Sequence, residues 1–259
     1  EMLLTGISLA VAAIPEGLPA IVTITLALSV NRILRRGAVI RKLHAVETLG
    51  CAGVICTDKT GTITQNKMTV QRIWVPGRTL NVSGSGYRAQ GAVEENGRLV
   101  QAARDAALGR LCEAASLCTT AHITRAKDVY DVMGDPTEVA VLVAAAKAGV
   151  TKEALLQQYT VIGENPFDAA RKRMSVTVSG PGGVRLLCKG APDMLLARCT
   201  HIETPAGPRL LAPRDRADIN AACARMAGEA LRVLGFAESS TPAAGEEKLC
   251  FLGLMGMLD

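Results

Sequence analysis

The first stretch whose residue types could carry out chemistry is Thr57-Asp58-Lys59-Thr60-Gly61-Thr62. It follows Gly53-Val54-Ile55-Cys56, a short apolar run of strand type. Loops at the carboxyl ends of parallel strands are where α/β sheets bind ligands. Gly61 lets the backbone come close to a phosphate, and Thr60 and Thr62 offer hydroxyl and amide donors. Asp58 is then a candidate nucleophile that forms an aspartyl-phosphate. Mg²⁺ would screen the phosphate against the carboxylate. Taken alone, an Asx-turn capped by threonines accounts for the same residues.

A second constellation lies near the start. Met2 to Val30 holds a single charged residue, Glu16, and is long enough to cross ~30 Å of hydrocarbon. The basic residues Arg32, Arg35, Arg36, Arg41 and Lys42 follow it, which places that end in the cytoplasm. Ile14-Pro15-Glu16-Gly17-Leu18-Pro19 breaks the helical ladder. Carbonyls freed inside a membrane must be buried or face a polar cavity. With the Glu16 carboxylate they form a cage suited to a hard cation. A kinked helix with a structural Glu is the plainer alternative.

A third candidate is a nucleotide site without a Walker loop, because no G-x-x-x-x-G-K-[ST] occurs. Phe167, one of three Phe, precedes Arg171-Lys172-Arg173. A ring that stacks on a base beside cations for phosphate is sensible chemistry. By itself this pattern reads more simply as a core Phe next to a solvated basic edge.

These groups need elements to position them. Ala102 to Cys118 has helical spacing. Asp135 suits an N-cap, with Pro136 at the first helical position and Glu138 in the first turn. Val139 to Ala146 is apolar all round, so this helix should be buried. Ser175 to Val178 and Val184 to Cys188 flank a Gly-Pro turn and predict a hairpin. Ile219 to Leu234 reads as an amphipathic helix, Glu238 to Glu247 as a loop, and Leu249 to Leu258 as a strand. Arg32 to Glu47 reads as the continuation of the first helix and a short link.

Composition narrows the classes. Of 259 residues, 49% are hydrophobic and 20% charged, which excludes a disordered chain. Aromatics are 3%, which argues against nucleic acid bound by base stacking. No two of the 8 Cys have C-x-x-C spacing, so they read as reduced core residues rather than a zinc or redox site. His122 and His201 read as surface residues and Trp74 as packing.

The order of these features resembles the P-type ATPases, most closely the calcium-transporting branch with its bacterial members. The match runs through Pro15-Glu16-Gly17-Leu18-Pro19, the basic stalk, Val46-Glu47-Thr48-Leu49-Gly50, and Asp58-Lys59-Thr60-Gly61-Thr62 to Met68-Thr69-Val70. The resemblance implies that Asp58 takes the γ-phosphate of ATP, helped by Lys59, Thr60 and Thr62, with Asp58 and Thr60 on Mg²⁺. Gly134 to Glu138 resembles the segment that reaches the adenine, and Phe167 the stacking ring. Lys172, Lys189 of Lys189-Gly190-Ala191-Pro192, and Arg232 of Leu231-Arg232-Val233-Leu234 complete the implied nucleotide pocket. Ala169 departs from the Arg often found there in animal pumps, so one polyphosphate contact is either missing or supplied by Arg171. Glu16, Val11, Ala12 and Ile14 are the implied ligands of the transported cation, Ca²⁺.

The implied fold class is α/β. An α+β nucleotide-binding domain (71–248) is inserted in a partial Rossmann-like phosphorylation domain of haloacid-dehalogenase type (46–70, returning at 249–259). One broken transmembrane helix with its stalk precedes them (1–45). The chain reads as the middle of a longer pump, inactive alone, with the Gly-Asp-Gly segment, actuator and most membrane helices outside it. The implied setting is a lipid bilayer, a bacterial plasma membrane, with the large domain cytoplasmic. Two alternatives stand beside a calcium pump. One is an ATP-binding remnant that does not transport. The other is a pump for another cation, as in Na⁺/K⁺ relatives.

Overall fold

The computed structural model describes residues 2–12, 17–58, 62, 64, 67–88, 90–126, 129–242 and 245–259, without the side chains of Leu4, Ala10, Val11 and Ala126. The chain divides into two compact units, Glu1–Asp58 and Lys59–Asp259.

The first unit is helical. Helices α1 (Met2–Ala12) and α2 (Leu18–Leu34) lie within the long apolar run. Among the described residues no helix is long and apolar enough to cross a membrane. Pro15 and Glu16, on which the expected break turns, lie outside the described residues. In α2 the hydroxyls of Thr23, Thr25 and Ser29 donate to the carbonyls four residues earlier, so three polar side chains are satisfied within an apolar helix. α2 ends at Leu34, so the basic stretch does not continue the helix as expected. Gly37, at φ 84°, follows in the turn. α3 (His44–Gly50) comes next.

Gly53 to Cys56 form no strand, and Val54 and Ile55 are exposed. The strand expected at Gly53 to Cys56 is therefore not formed among the described residues. A parallel strand is stable only when neighbours bury both its faces, and no strand among the described residues pairs with it.

The second unit is a helix–sheet–helix sandwich. Its strands are β1 (Thr69–Val75), β2 (Arg78–Val82), β3 (Val93–Glu95), β4 (Arg98–Leu99), β5 (His122–Ala126), β6 (Val129–Met133), β7 (Thr160–Asp168), β8 (Arg173–Gly180), β9 (Gly183–Gly190), β10 (Cys199–Ile202), β11 (Arg209–Leu210), β12 (Arg232–Ser239) and β13 (Leu249–Leu258). The main sheet runs β4-β3-β2-β1-β13-β12-β9-β8-β7, with β10 and β11 added beside β13. β5 and β6 form a separate hairpin.

Helices α4 (Ala106–Leu117), α5 (Pro136–Lys147) and α6 (Lys152–Leu156) belong to one face. Leu108, Leu111, Val141 and Ala144 pack there against Val176, Leu187, Phe236 and Met255. Helices α7 (Pro192–Leu196) and α8 (Pro213–Gly228) cover the other face. Leu195, Ile219 and Met226 pack there against Cys188, Ala237, Phe251 and Leu254. Trp74 belongs to this second core, 6.4 Å from the Phe251 ring.

Local signals set the helix starts. Asp105 caps α4 by accepting from Leu108 N at 3.1 Å, and Asp135 caps α5 by accepting from Thr137 N at 2.8 Å. The hairpin of β8 and β9 and the buried character of α5 follow the sequence reading. Three expectations change. The helix expected to reach Leu234 stops at Gly228, and Ala230 at φ 58° turns the chain into β12. Glu238, expected in a loop, is the buried penultimate residue of β12, where it accepts from Arg110 and Arg185. Residues 249–258, expected as a strand outside the nucleotide-binding domain, form β13 within its sheet, bonded between β1 and β12.

Because β13 is covered on both faces, small residues are required where neighbours press closest. A Cβ on Gly253 would stand 2.5 Å from the Trp74 carbonyl oxygen and 3.0 Å from Leu111 Cδ2. Backbone cannot yield as a side chain can, and overpacking of this kind costs about 1–3 kcal/mol. Gly253→Ala should therefore lower the urea midpoint of the second unit. An unchanged midpoint would show that β1 and β13 separate without cost.

Candidate functional site

The site is assembled around Lys189. It sits on β9 with Met174 of β8 on one side and Phe236 of β12 on the other. Cross-strand neighbours share a face, so the Lys189 side chain lies on the face of α4 and α5. There it is buried, and an ammonium so placed needs a carboxylate. Glu138, in the first turn of α5, supplies it: Lys189 Nζ donates to Glu138 Oε1 at 2.6 Å. The Asp135 cap and Pro136 fix where α5 begins and so where Glu138 points.

The other carboxylate oxygen is saturated by the chain between α4 and β5. Glu138 Oε2 accepts from Thr119 Oγ1 at 2.8 Å, Thr120 N at 2.9 Å, Thr120 Oγ1 at 2.8 Å and Ala121 N at 2.9 Å. Burial opposes ionisation of Glu138. Lys189 and the threonine hydroxyls outweigh it and hold the carboxyl at about 2. Gly134 permits this approach, because at φ 126° a Cβ there would meet Ala121 Cβ at 2.7 Å.

The β7–β8 turn carries the second part. Asp168 Oδ1 accepts from Ala170 N at 2.9 Å and Arg171 N at 2.8 Å, which closes the turn. Phe167, beside a break in the β7–β8 register, is 64% exposed, which is far from the core Phe of the plainer reading. Lys172 follows at φ 51°, exposed and, among the described residues, without an ion pair. Gly190 lets β9 pass beneath this turn, since a Cβ there would meet Lys172 O and Arg173 Cβ at 2.5 Å.

The basic run after Phe167 is split. Arg171 and Arg173 do not face solvent as phosphate ligands. Both donate to Glu246 at 2.6 Å, joined by Ser175 Oγ at 2.8 Å. Arg171 also donates to Asn165 Oδ1 and the Pro166 carbonyl. This corrects the expectation that Arg171 replaces the cation absent at Ala169, and it leaves Lys172 as the free cation of the three. Arg232 is exposed at the start of β12, four residues from Phe236 and so about 13 Å along the strand. Alternation puts it on the same face as Lys189.

The remaining expected residues are not gathered with these. Asp58 is exposed, and its own carbonyl accepts from Thr57 Oγ1 at 3.2 Å. Thr62 is exposed. Lys59 and Thr60 lie outside the described residues, as do Ile14 and Glu16. Val11 and Ala12 are in the last turn of α1. Among the described residues no three His, Cys, Asp or Glu side chains gather as a metal site. Cys112, Cys118, Cys188 and Cys199 are buried as expected, but Cys51 and Cys56 are exposed. His122 is exposed, and His201 is half-buried.

Sequence reasoning missed Thr119, Thr120, Lys152 and Glu246. Nothing in the spacing marks the two threonines. Lys152 looks like an ordinary surface lysine, although Thr151 before it announces a helix start.

The second unit is thus a mixed α/β domain that holds a buried Lys189–Glu138 pair. Residues 107–259 match the family model for the P-type ATPase cytoplasmic domain N. The chain belongs to the P-type ATPase family. Over its whole length it is 42% identical to a calcium-transporting ATPase of Bacillus subtilis (strain 168), of which it covers 30%. It is 39% identical to the cation-transporting ATPase pma1 of Synechocystis sp., covering 30%, and 40% identical to the human calcium-transporting ATPase type 2C member 1, covering 28%. The chain thus spans under a third of the length of these relatives. The domain N match runs through β13, in agreement with its place inside the sheet.

The Glu138 geometry sets a pH dependence. A carboxyl held at about 2 against an ordinary 4.5 stabilises the fold fully above about pH 4.5, and this contribution is lost as pH falls toward 2. Urea unfolding between pH 5 and 2 should therefore lose stability more steeply in the unaltered chain than in Glu138→Gln. Parallel pH profiles would show that the pair does not hold the carboxyl down.

Proposed function

We propose that the chain is the nucleotide-binding and phosphorylation segment of an ATP-driven pump that moves Ca²⁺. What carries the reading is the buried Lys189–Glu138 pair on β9, with an exposed ring at Phe167 and exposed cations at Lys172 and Arg232, without an ion pair among the described residues, on or beside the neighbouring strands β7, β8 and β12. The names of the relatives from Bacillus subtilis and human support calcium as the cargo. In this reading Phe167 stacks on the adenine and Glu138 and Lys189 line its pocket. Lys172 and Arg232 face the phosphates, where fixed cations offset charge at no cost in reorganisation.

Asp58 then attacks the γ-phosphorus through a carboxylate oxygen. The bond to the bridging oxygen breaks, and ADP leaves with the electron pair. Lys59, Thr60 and Thr62 complete the loop in this proposal. Mg²⁺, which neutralises phosphate charge when bound, would take Asp58 and Thr60. Glu16 with Val11, Ala12 and Ile14 would hold the cargo in a helix broken within the bilayer, with the second unit in the cytoplasm.

Phe167 is exposed, so Phe167→Ala should leave the melting temperature unchanged. The loss of stacking is worth about 1–3 kcal/mol, roughly a fivefold to hundredfold weakening of ATP. Lys189→Ala should weaken ATP as well. Unchanged binding in both variants, followed by displacement of a fluorescent ATP analogue, would overturn the pocket. In the intact protein, ATP should give an acid-stable, Ca²⁺-dependent phosphoenzyme that is absent in Asp58→Asn. Phosphoenzyme that depends instead on Na⁺ would reassign the cargo.

A further inference from the structure

Lys152 is a buried lysine with, among the described residues, no carboxylate within bonding distance. Its Nζ donates instead to two backbone carbonyls, Thr119 O at 2.8 Å and Ala121 O at 2.9 Å. It is also the first residue of α6, where a positive charge opposes the helix dipole. A methionine would fill the space without desolvating a charge. Packing alone therefore gives no reason for the ammonium.

The peptide group that joins Thr119 to Thr120 gives one. Its carbonyl oxygen accepts from Lys152, and its N–H donates to Glu138 Oε2 at 2.9 Å. One planar amide thus lies directly between a buried ammonium and the carboxylate that holds Lys189. Hydrogen bonds in such a chain polarise one another, more so away from water. The second bond, to Ala121 O, pins the far side of the same turn, whose Ala121 N also donates to Glu138. The turn has a carboxylate on one side and an ammonium on the other, and Thr119 Oγ1 adds a further donor to Glu138.

We propose that Lys152 is a positioning residue of the nucleotide site, acting through the 119–120 peptide on Glu138 and through Glu138 on Lys189. The proposal rests on the nucleotide-pocket reading above. Lys152 touches no part of the inferred nucleotide site itself. It sets the orientation and charge of the pair that does. The charged and titratable groups around it are Glu138 of α5, Lys189 of β9, Glu153 of α6 and Glu164 of β7. Burial lowers the Lys152 ammonium below its ordinary value, while Glu138 opposes that shift, as expected for a cation coupled to this carboxylate rather than to solvent.

The test uses the full chain with two readouts: the titration of the Glu138 carboxyl carbon by NMR, which needs no ligand, and the Kd for ATP. Lys152→Met, which keeps the length of the side chain, should raise the Glu138 midpoint and weaken ATP at least threefold. Lys152→Arg should restore both in part. A folded Lys152→Met with an unmoved midpoint, or with ATP affinity within twofold of the unaltered chain, overturns the proposal. If Lys152→Met does not fold, Lys152→Gln keeps a donor on a slightly shorter side chain and removes the charge, and the same criteria apply. If the unaltered chain binds no ATP, the nucleotide reading fails first. The Glu138 titration then still decides, separately, whether Lys152 governs this carboxylate.

Discussion

Burying the Lys189 ammonium on the sheet face beneath α5 constrains everything nearby. A charge in that position is tolerable only with a carboxylate in bonding geometry. The carboxylate must come from the helix that covers it. Glu138 therefore has to sit in the first turn of α5, and α5 has to start where Asp135 caps it. Glu138 in turn leaves Oε2 to be satisfied, and the Thr119–Ala121 turn does so with four donors. Sheet, helix and turn are thus locked by one ion pair, and the inferred adenine end of the pocket is rigid before any nucleotide arrives.

The turn between β7 and β8 is arranged differently. Its basic residues divide between an internal carboxylate and solvent. Arg171 and Arg173 converge on Glu246 beside a hollow of about 500 Å³ lined also by Asn165, Ser175 and Arg198. Burial resists ionisation of Glu246, and the Arg171, Ser175 and Arg173 bonds win, so its carboxyl is held below the ordinary value. Two of three cations thereby act on the protein's own loop and brace the turn from behind. Phe167 and Lys172 are left exposed.

How much of this was legible in the sequence depends on range. The caps at Asp135 and Pro136, the all-round apolar α5 and the β8–β9 hairpin were readable because each is set by neighbours in the chain. The helix expected up to Leu234 failed because the apolar spacing of Ile219 to Met226 continues by chance into a strand. Only the positive φ at Ala230, invisible in a residue type that seldom adopts it, marks the change. β13 was legible as a strand but not as the middle of this sheet, since pairing partners nearly two hundred residues apart leave no local trace. At the site, family resemblance marked Glu138 and Lys189, whereas Lys152 and the Thr119–Thr120 peptide had no signal. Backbone amides carry the link between them, and every residue has one.

The distribution of thiols has a consequence for anyone who wishes to mark this protein chemically. The thiolate is the reactive form. In the second unit burial pushes Cys112, Cys118, Cys199 and Cys250 up to about 12, raises Cys188 further, and raises Cys223 as well. Cys51 and Cys56 are exposed in the first unit, the latter two residues before Asp58. An alkylating dye at neutral pH would therefore sort the chain by itself. It would tag the segment that leads into the aspartate and pass over the sandwich, giving a spectroscopic handle on that segment without removal of a single cysteine.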